Sequence, residues 1–154
     1  MKKFNCSLFL CVITLISCEN NTYENYHSFH HNGWISDSIV YFKYTITDTT
    51  RRYDLSLNVR HTVNYEFQNL FIFLEEDTRD TIEISLANKR GKWLGRGISD
   101  VREFKYTIEN QRVFTKKGTY ELSVEQAMRY GELHKIERLE HILDIGLIVS
   151  ENNE

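Results

Sequence analysis

The sequence predicts an all-β fold, an antiparallel β-sandwich of seven to eight strands with one short helical segment near the C-terminus. Three observations carry that expectation. Apolar and polar residues alternate with period two over most of the chain beyond residue 39, short turn-forming stretches separate the runs, and no long crossover of the kind that joins parallel strands intervenes. A length of 154 residues fits a single domain with a single core.

In residues 39–48, Val40, Phe42, Tyr44 and Ile46 share one face. Residues 53–63 show the clearest alternation: Tyr53, Leu55, Leu57, Val59, His61 and Val63 against Asp54, Ser56, Asn58, Arg60 and Thr62, one face for the core and one for water. Residues 70–75 are apolar on both faces, which suits an interior strand. Alternation returns at 81–87 through Ile82, Ile84 and Leu86, and further strands are expected at 101–108, 119–125 and 144–150. Turn signals fall at 48–52, 75–80, Asn88-Lys89-Arg90-Gly91 and Thr115-Lys116-Lys117-Gly118. Between residues 126 and 143, Leu133, Ile136, Leu139 and Leu143 recur at helical spacing, and Glu125 stands four before Arg129. That stretch is the expected helical segment, interrupted at Gly131. The chain has no proline, so its edge strands lack one common protection against pairing, and Arg51-Arg52, Glu75-Glu76-Asp77 and Lys116-Lys117 are expected to blunt them.

The first 17 residues have a different character. Lys2 and Lys3 precede an apolar stretch from Phe4 to Ile16 that is too short to span a bilayer and fits a secretory signal. It ends in Leu15-Ile16-Ser17-Cys18, which resembles the bacterial lipobox, whose cysteine takes a diacylglyceryl group. Residues 1–17 are therefore read as a lipoprotein signal peptide, with Cys18 as the lipid attachment site. Residues 18–32 form a lipidated N-terminus that is either a tether or a first edge strand, 33–150 the β-sandwich domain, and 151–154 a tail. All three cysteines lie within the first 18 positions, so no disulfide framework is expected in the folded domain. The net charge of −3 supplies no general drive toward nucleic acid or anionic lipid, so a lipid anchor must do the holding.

Motifs for chemistry are sparse. His27, His30 and His31 cluster without a cysteine or paired carboxylate, and His134, Glu137 and His141 would share a helix face among charged neighbours. Neither group is read as a metal site. The sequence contains no GxSxG or HExxH motif and no glycine-rich phosphate loop. No catalytic residue, cofactor, metal, nucleic acid or small-molecule substrate is expected. Trp34 and Trp93, with the basic Lys89, Arg90, Lys92 and Arg96, form the candidate surface for a protein partner, since aromatic groups beside arginine are common contact anchors. An alternative reading is a carbohydrate-binding sandwich with the two tryptophans as stacking platforms.

The lipobox cysteine is followed in order by Tyr23-Glu24, Tyr26, Gly33-Trp34, Asp37, Tyr53-Asp54-Leu55, Asn58-Val59-Arg60, Asn69-Leu70-Phe71 and Asp80-Thr81-Ile82-Glu83. Then come Gly91-Lys92-Trp93-Leu94-Gly95, Gly118-Thr119-Tyr120, Glu125-Gln126-Ala127-Met128-Arg129 and Asp144-Ile145-Gly146-Leu147. This ordered set resembles the gliding-motility lipoprotein GldH family. The chain departs from the family pattern at Glu66 and Lys117, where proline is usual, and at residues 134–140, which look inserted. The resemblance implies a non-enzymatic lipoprotein of the Bacteroidota envelope, an accessory of the gliding and type IX secretion machinery with an envelope protein as partner. The outer membrane, facing the periplasm, is the expected location. In the same setting Asp37-Ser38-Ile39, Asp48-Thr49-Thr50 and Asp80-Thr81-Ile82 resemble acceptors for O-glycosylation at Ser38, Thr49 and Thr81.

Overall fold

The computed structural model describes residues 21–30, 33–132 and 134–152. In chain order the strands are β1 (Asn21–Ser28), β2 (Trp34–Ile35), β3 (Val40–Ile46), β4 (Arg52–Thr62), β5 (Asn69–Glu75), β6 (Arg79–Ser85), β7 (Val101–Val113), β8 (Gly118–Gln126), β9 (Arg138–Leu139) and β10 (Ile142–Asn152). The molecule is all-β and every paired strand runs antiparallel. Two sheets of four strands have the orders β1-β10-β4-β7 and β3-β8-β5-β6, and the short β2 and β9 pair with each other.

The period-two pattern builds these strands. In β3 buried and exposed residues alternate without a break. Val40, Phe42, Tyr44 and Ile46 join Leu55, Leu57 and Val59 of β4 and Ile145, Leu147 and Val149 of β10 in one hydrophobic cluster fed by both sheets. Branched and aromatic side chains at alternate positions pack in this way because successive Cβ atoms point to opposite faces. The doubly apolar β5 lies between β8 and β6, where both of its edges are paired.

The expected helical segment near the C-terminus is absent: among the described residues no helix forms. Residues 127–137 spend their backbone bonds on distant partners instead. Ala127 N donates to Phe71 O (2.8 Å) and Ile136 N to Met128 O (2.8 Å). The side chain of Gln126 holds the loop from inside, donating to Ile136 O (2.6 Å) and accepting from Met128 N (3.0 Å). Gly131 and His141 adopt positive φ, 57° and 68°, which no α-helix accommodates. Ile136 and Leu139 still face the core, so the helical spacing reported burial but not conformation; Leu133 lies outside the described residues. Glu125 bonds Arg79 of β6 (2.7 Å) rather than Arg129.

The direction of the strands defines two poles. Asn21 pairs with Ser150 beside the start of β4, and the turns 47–51 and 114–117 close the same end. Arg51, Arg52, Lys116 and Lys117, expected on strand edges, cluster around these turns. The acidic 76–78 turn stops short of that tip: Glu76 accepts a hydrogen bond from Tyr44 (2.5 Å) and pairs with Arg112 of β7 (2.6 Å). Burial and the Glu76 carboxylate push the Tyr44 hydroxyl far above the ordinary phenol range. The 11 residues of β4 place the far pole about 33 Å away.

Candidate functional site

At the far pole the chain leaves β6 and crosses between the sheets. Leu86 N and Ala87 N both donate to Gln68 O (2.8 and 2.9 Å). A tight turn follows, with Gly91 N bonded to Asn88 O (2.9 Å) and the Asn88 side chain accepting from Arg90 N and Lys92 N (2.9 and 3.0 Å). Arg96 then exchanges two backbone bonds with Glu103 (2.9 and 2.7 Å), so the loop finishes as an extra rung on the edge of β7. Glycine permits this close approach: a methyl group at Gly95 would lie 2.6 Å from Glu103 O, and one at Gly97 would lie 2.0 Å from Val101 O. The Trp93-Leu94-Gly95-Arg96-Gly97 motif thereby gains a structural cause.

This loop brings together most of the candidate partner residues. Lys89, Arg90, Lys92 and Arg96 are exposed, and Trp93 is half-buried. The Trp93 ring rests on His61, with centroids 4.5 Å apart. His61 is fully enclosed. Its Nδ1 faces Thr62 O at 2.9 Å; a carbonyl only accepts, so Nδ1 carries the proton. The Nε2 atom is buried without a partner, and burial lowers the imidazole pKa from 6.5. Trp34 does not join the surface. It is 0% exposed, stacked on Phe29 with centroids 4.8 Å apart, and its indole donates to Ser38 O (2.9 Å). A large aromatic side chain beside an apolar neighbour gains more from enclosure than from water contact, which overturns its assignment to the partner surface.

Beside the loop, the outer face of the β1-β10-β4-β7 sheet forms an open groove of about 750 Å³, lined by Tyr26, Asn58, Arg60, Glu103, Lys105 and the 94–98 stretch. Its floor departs from the expected wet face of β4, because Ser56 and Asn58 are only 3% and 4% exposed. The cause lies on the neighbouring strands. Gly146 leaves a gap on β10 into which the Tyr26 ring drops; an added methyl would stand 2.5 Å from its carbons. Asn58 Nδ2 donates to the Tyr26 hydroxyl (2.8 Å) and to Glu103 (3.1 Å). Two residues further along β4, on the same face, Arg60 pairs with Asp144 (2.8 Å). Burial raises the Asp144 pKa above the ordinary carboxylate value, and Arg60 opposes the shift. Asn58 Oδ1 and Asp144 Oδ1 are buried with no hydrogen-bond partner. Leu94 and Ile98, 48% and 91% exposed, form an apolar lip. A floor of donors and acceptors under an apolar rim suits polar-segment recognition. The sequence signal that points to it is a glycine within an otherwise branched strand.

The remaining candidates scatter. Ser38 is half-buried in the β2–β3 connection, Thr49 is half-buried in the 47–51 turn, and Thr81 is exposed on β6, an edge strand. His134 and His141 share no helix face, since none forms, and His141 Nδ1 lies 3.0 Å from Thr62 Oγ1. Cys18 and His31 lie outside the described residues.

Fold and site together define an all-β antiparallel domain whose exposed chemistry is gathered on one loop and the adjoining sheet face. The family model described as GldH lipoprotein matches residues 21–149, and the chain belongs to that family. A protein of Christiangramia forsetii named gliding motility lipoprotein GldH homolog is 34% identical over 158 residues, covering 96% of each chain. The gliding motility lipoprotein GldH of Flavobacterium johnsoniae is 33% identical over 154 residues, covering 95% of each. No solved structure matches the chain.

Proposed function

We propose that this chain is a lipid-anchored, non-enzymatic accessory component of the gliding and type IX secretion machinery. It is held through Cys18 on the periplasmic side of the outer membrane and presents its far pole to an envelope protein. In this reading the two sheets face each other as a sandwich and act as a rigid spacer, and the contact surface is the basic loop of Lys89, Arg90, Lys92, Trp93 and Arg96. The observation that carries the reading is the placement of that loop at the opposite end of the sheet from Asn21: Asn21 is level with Asp54 and Arg96 with Arg60, about 20 Å further along β4. The names of the relatives, both motility lipoproteins, support the biological setting.

Co-purification from detergent-solubilised membranes after mild cross-linking tests it. The wild-type protein is expected to carry a protein partner, and the triple variant K89E/R90E/K92E to lose it at least ~10-fold while keeping its β-sheet circular dichroism. About 1.4 kcal/mol of lost contact suffices for that factor. A wild-type protein that elutes alone and monodisperse would overturn the reading. The carbohydrate alternative loses Trp34 as a stacking platform, because that ring is enclosed, and is left with the half-buried Trp93, which packs at a tilt against His61. O-glycosylation is retained for Ser38, Thr49 and Thr81, of which Thr81 is the best presented. An intact mass equal to polypeptide plus lipid would exclude all of them.

A further inference from the structure

We infer that the groove on the outer face of the β1-β10-β4-β7 sheet is a binding site for a neutral oligosaccharide, separate from the contact made by the basic loop. The charges of the groove balance. Arg60, Arg96 and Lys105 stand against Glu24, Glu103 and the Asp144 partner of Arg60. They also interleave, since Arg60 is the register partner of Glu103 on β7 and pairs with Asp144 on β10 (2.8 Å). An ion of either sign meets its like as soon as its opposite, so net charge gives no affinity here. Hydroxyl groups suit such a floor, because each donates and accepts. Arg60 and Lys105 only donate, and the Glu103 carboxylate only accepts. Asn58 lines the groove at 4% exposure. Its Nδ2 is spent on Tyr26 and Glu103, while its Oδ1 has no partner. A small hydroxylic donor is the group that fits an enclosed acceptor left unfilled.

Size and walls point the same way. The groove holds about 750 Å³, within the range of about 300–1,000 Å³ usual for ligand sites. Its polar side chains are fixed in advance: Glu103 by its backbone rung with Arg96, Arg60 by Asp144, and Asn58 by Tyr26. Groups already held lose little freedom when a ligand arrives. Leu94 and Ile98, 48% and 91% exposed, give an apolar wall, and the half-buried Tyr26 ring gives a second. A pyranose carries hydroxyls around its rim and C–H groups on its faces, so it matches a polar floor between apolar walls. An extended peptide is the other neutral chain of donors and acceptors, and it binds by adding to a free strand edge. Here the β7 edge at Glu103 is already taken by Arg96. Trp34 and Trp93 have no part in the site, since neither lines the groove.

Isothermal titration of the purified protein in a sugar-free polyoxyethylene detergent tests the site, with linear tetramers of N-acetylglucosamine, glucose, galactose and mannose as probes. At least one tetramer is expected to bind with a Kd below about 1 mM. Added salt at about 0.5 M should leave that affinity unchanged, because no net charge drives it. The N-acetylglucosamine probe separates a cell-wall glycan strand from an unsubstituted hexose polymer as the source. The variant L94S/I98S/K105A changes only exposed positions of the groove and should weaken binding at least ~10-fold with the circular dichroism unchanged. K89E/R90E/K92E, which alters the basic loop, should bind as the wild type does. Silence from all four tetramers would overturn the inference, and so would binding that the groove variant leaves intact. Binding of a neutral Gly-Ser hexapeptide in place of any sugar would overturn it in favour of a peptide site. None of these failures touches the protein-partner reading, which stands or falls on the basic-loop variant.

Discussion

Asn58 shows what a single polar residue does on this sheet. At 4% exposure it would cost stability unless its amide were engaged, and its two donors are spent on Tyr26 and Glu103. The arrangement depends on the missing side chain at Gly146. Gly146→Ala is expected to displace the Tyr26 ring and destabilise the domain by about 1–3 kcal/mol, read as a lower urea midpoint. The same substitution at an exposed turn glycine would serve as the comparison. His61 makes a second prediction at this scale. Its pKa is lowered in the folded state by burial, with the Arg102 charge adding to the effect, so below pH 6.5 the unfolded chain takes up a proton that the folded chain refuses. Stability from this group is complete above 6.5 and is lost as pH falls toward the folded pKa. The urea midpoint of the wild type should therefore drop more steeply over that interval than that of His61→Leu. Parallel profiles would show that His61 is not protected from protonation.

Elements differ in how well the sequence announces them. Strands β3, β4, β5 and β10 could be read from period-two alternation because each buries one face against the common core, and burial is what hydrophobic patterning records. Residues 127–141 misled for the same reason. Ile136 and Leu139 needed burial at helical spacing, but the backbone of Ile136 found its partner on Met128 and that of Leu139 on β2, and such non-helical pairings leave no local pattern. The loop carrying Trp93 was expected as a turn, and its return onto β7 was invisible because it depends on an edge that exists only after β7 is placed. Gly97→Ala is expected to lift this rung by forcing its backbone off Val101 O, with a red shift in tryptophan emission as Trp93 gains water contact. The salt bridge from β7 to the 76–78 turn joins the two sheets. Arg112→Ala should remove about 1.5–3 kcal/mol, the range for hydrogen bonds to charged groups, and would leave the Glu76 carboxylate bonded to the Tyr44 hydroxyl without its cation.

Taken whole, the molecule has one hydrophobic cluster to which both sheets contribute, and it should unfold as one unit. Denaturation followed by tryptophan emission, which reports on Trp34 and Trp93 at the far pole, should coincide with the loss of far-ultraviolet circular dichroism; separate midpoints would show that the sheets melt independently. The sequence alone pointed to the all-β class, the run of antiparallel strands and the resemblance to the GldH family, because each is written in local composition or spacing. Only the tertiary structure decided that Trp34 is enclosed, that Asn58 and Asp144 are buried on a face that looked wet, and that the basic turns at 51–52 and 116–117 share one pole while the basic loop at 89–96 occupies the other. Those facts arise from which strands become neighbours. Neighbour choice is set by burying both sheets in one core, a sum over the whole chain that no local stretch of sequence carries.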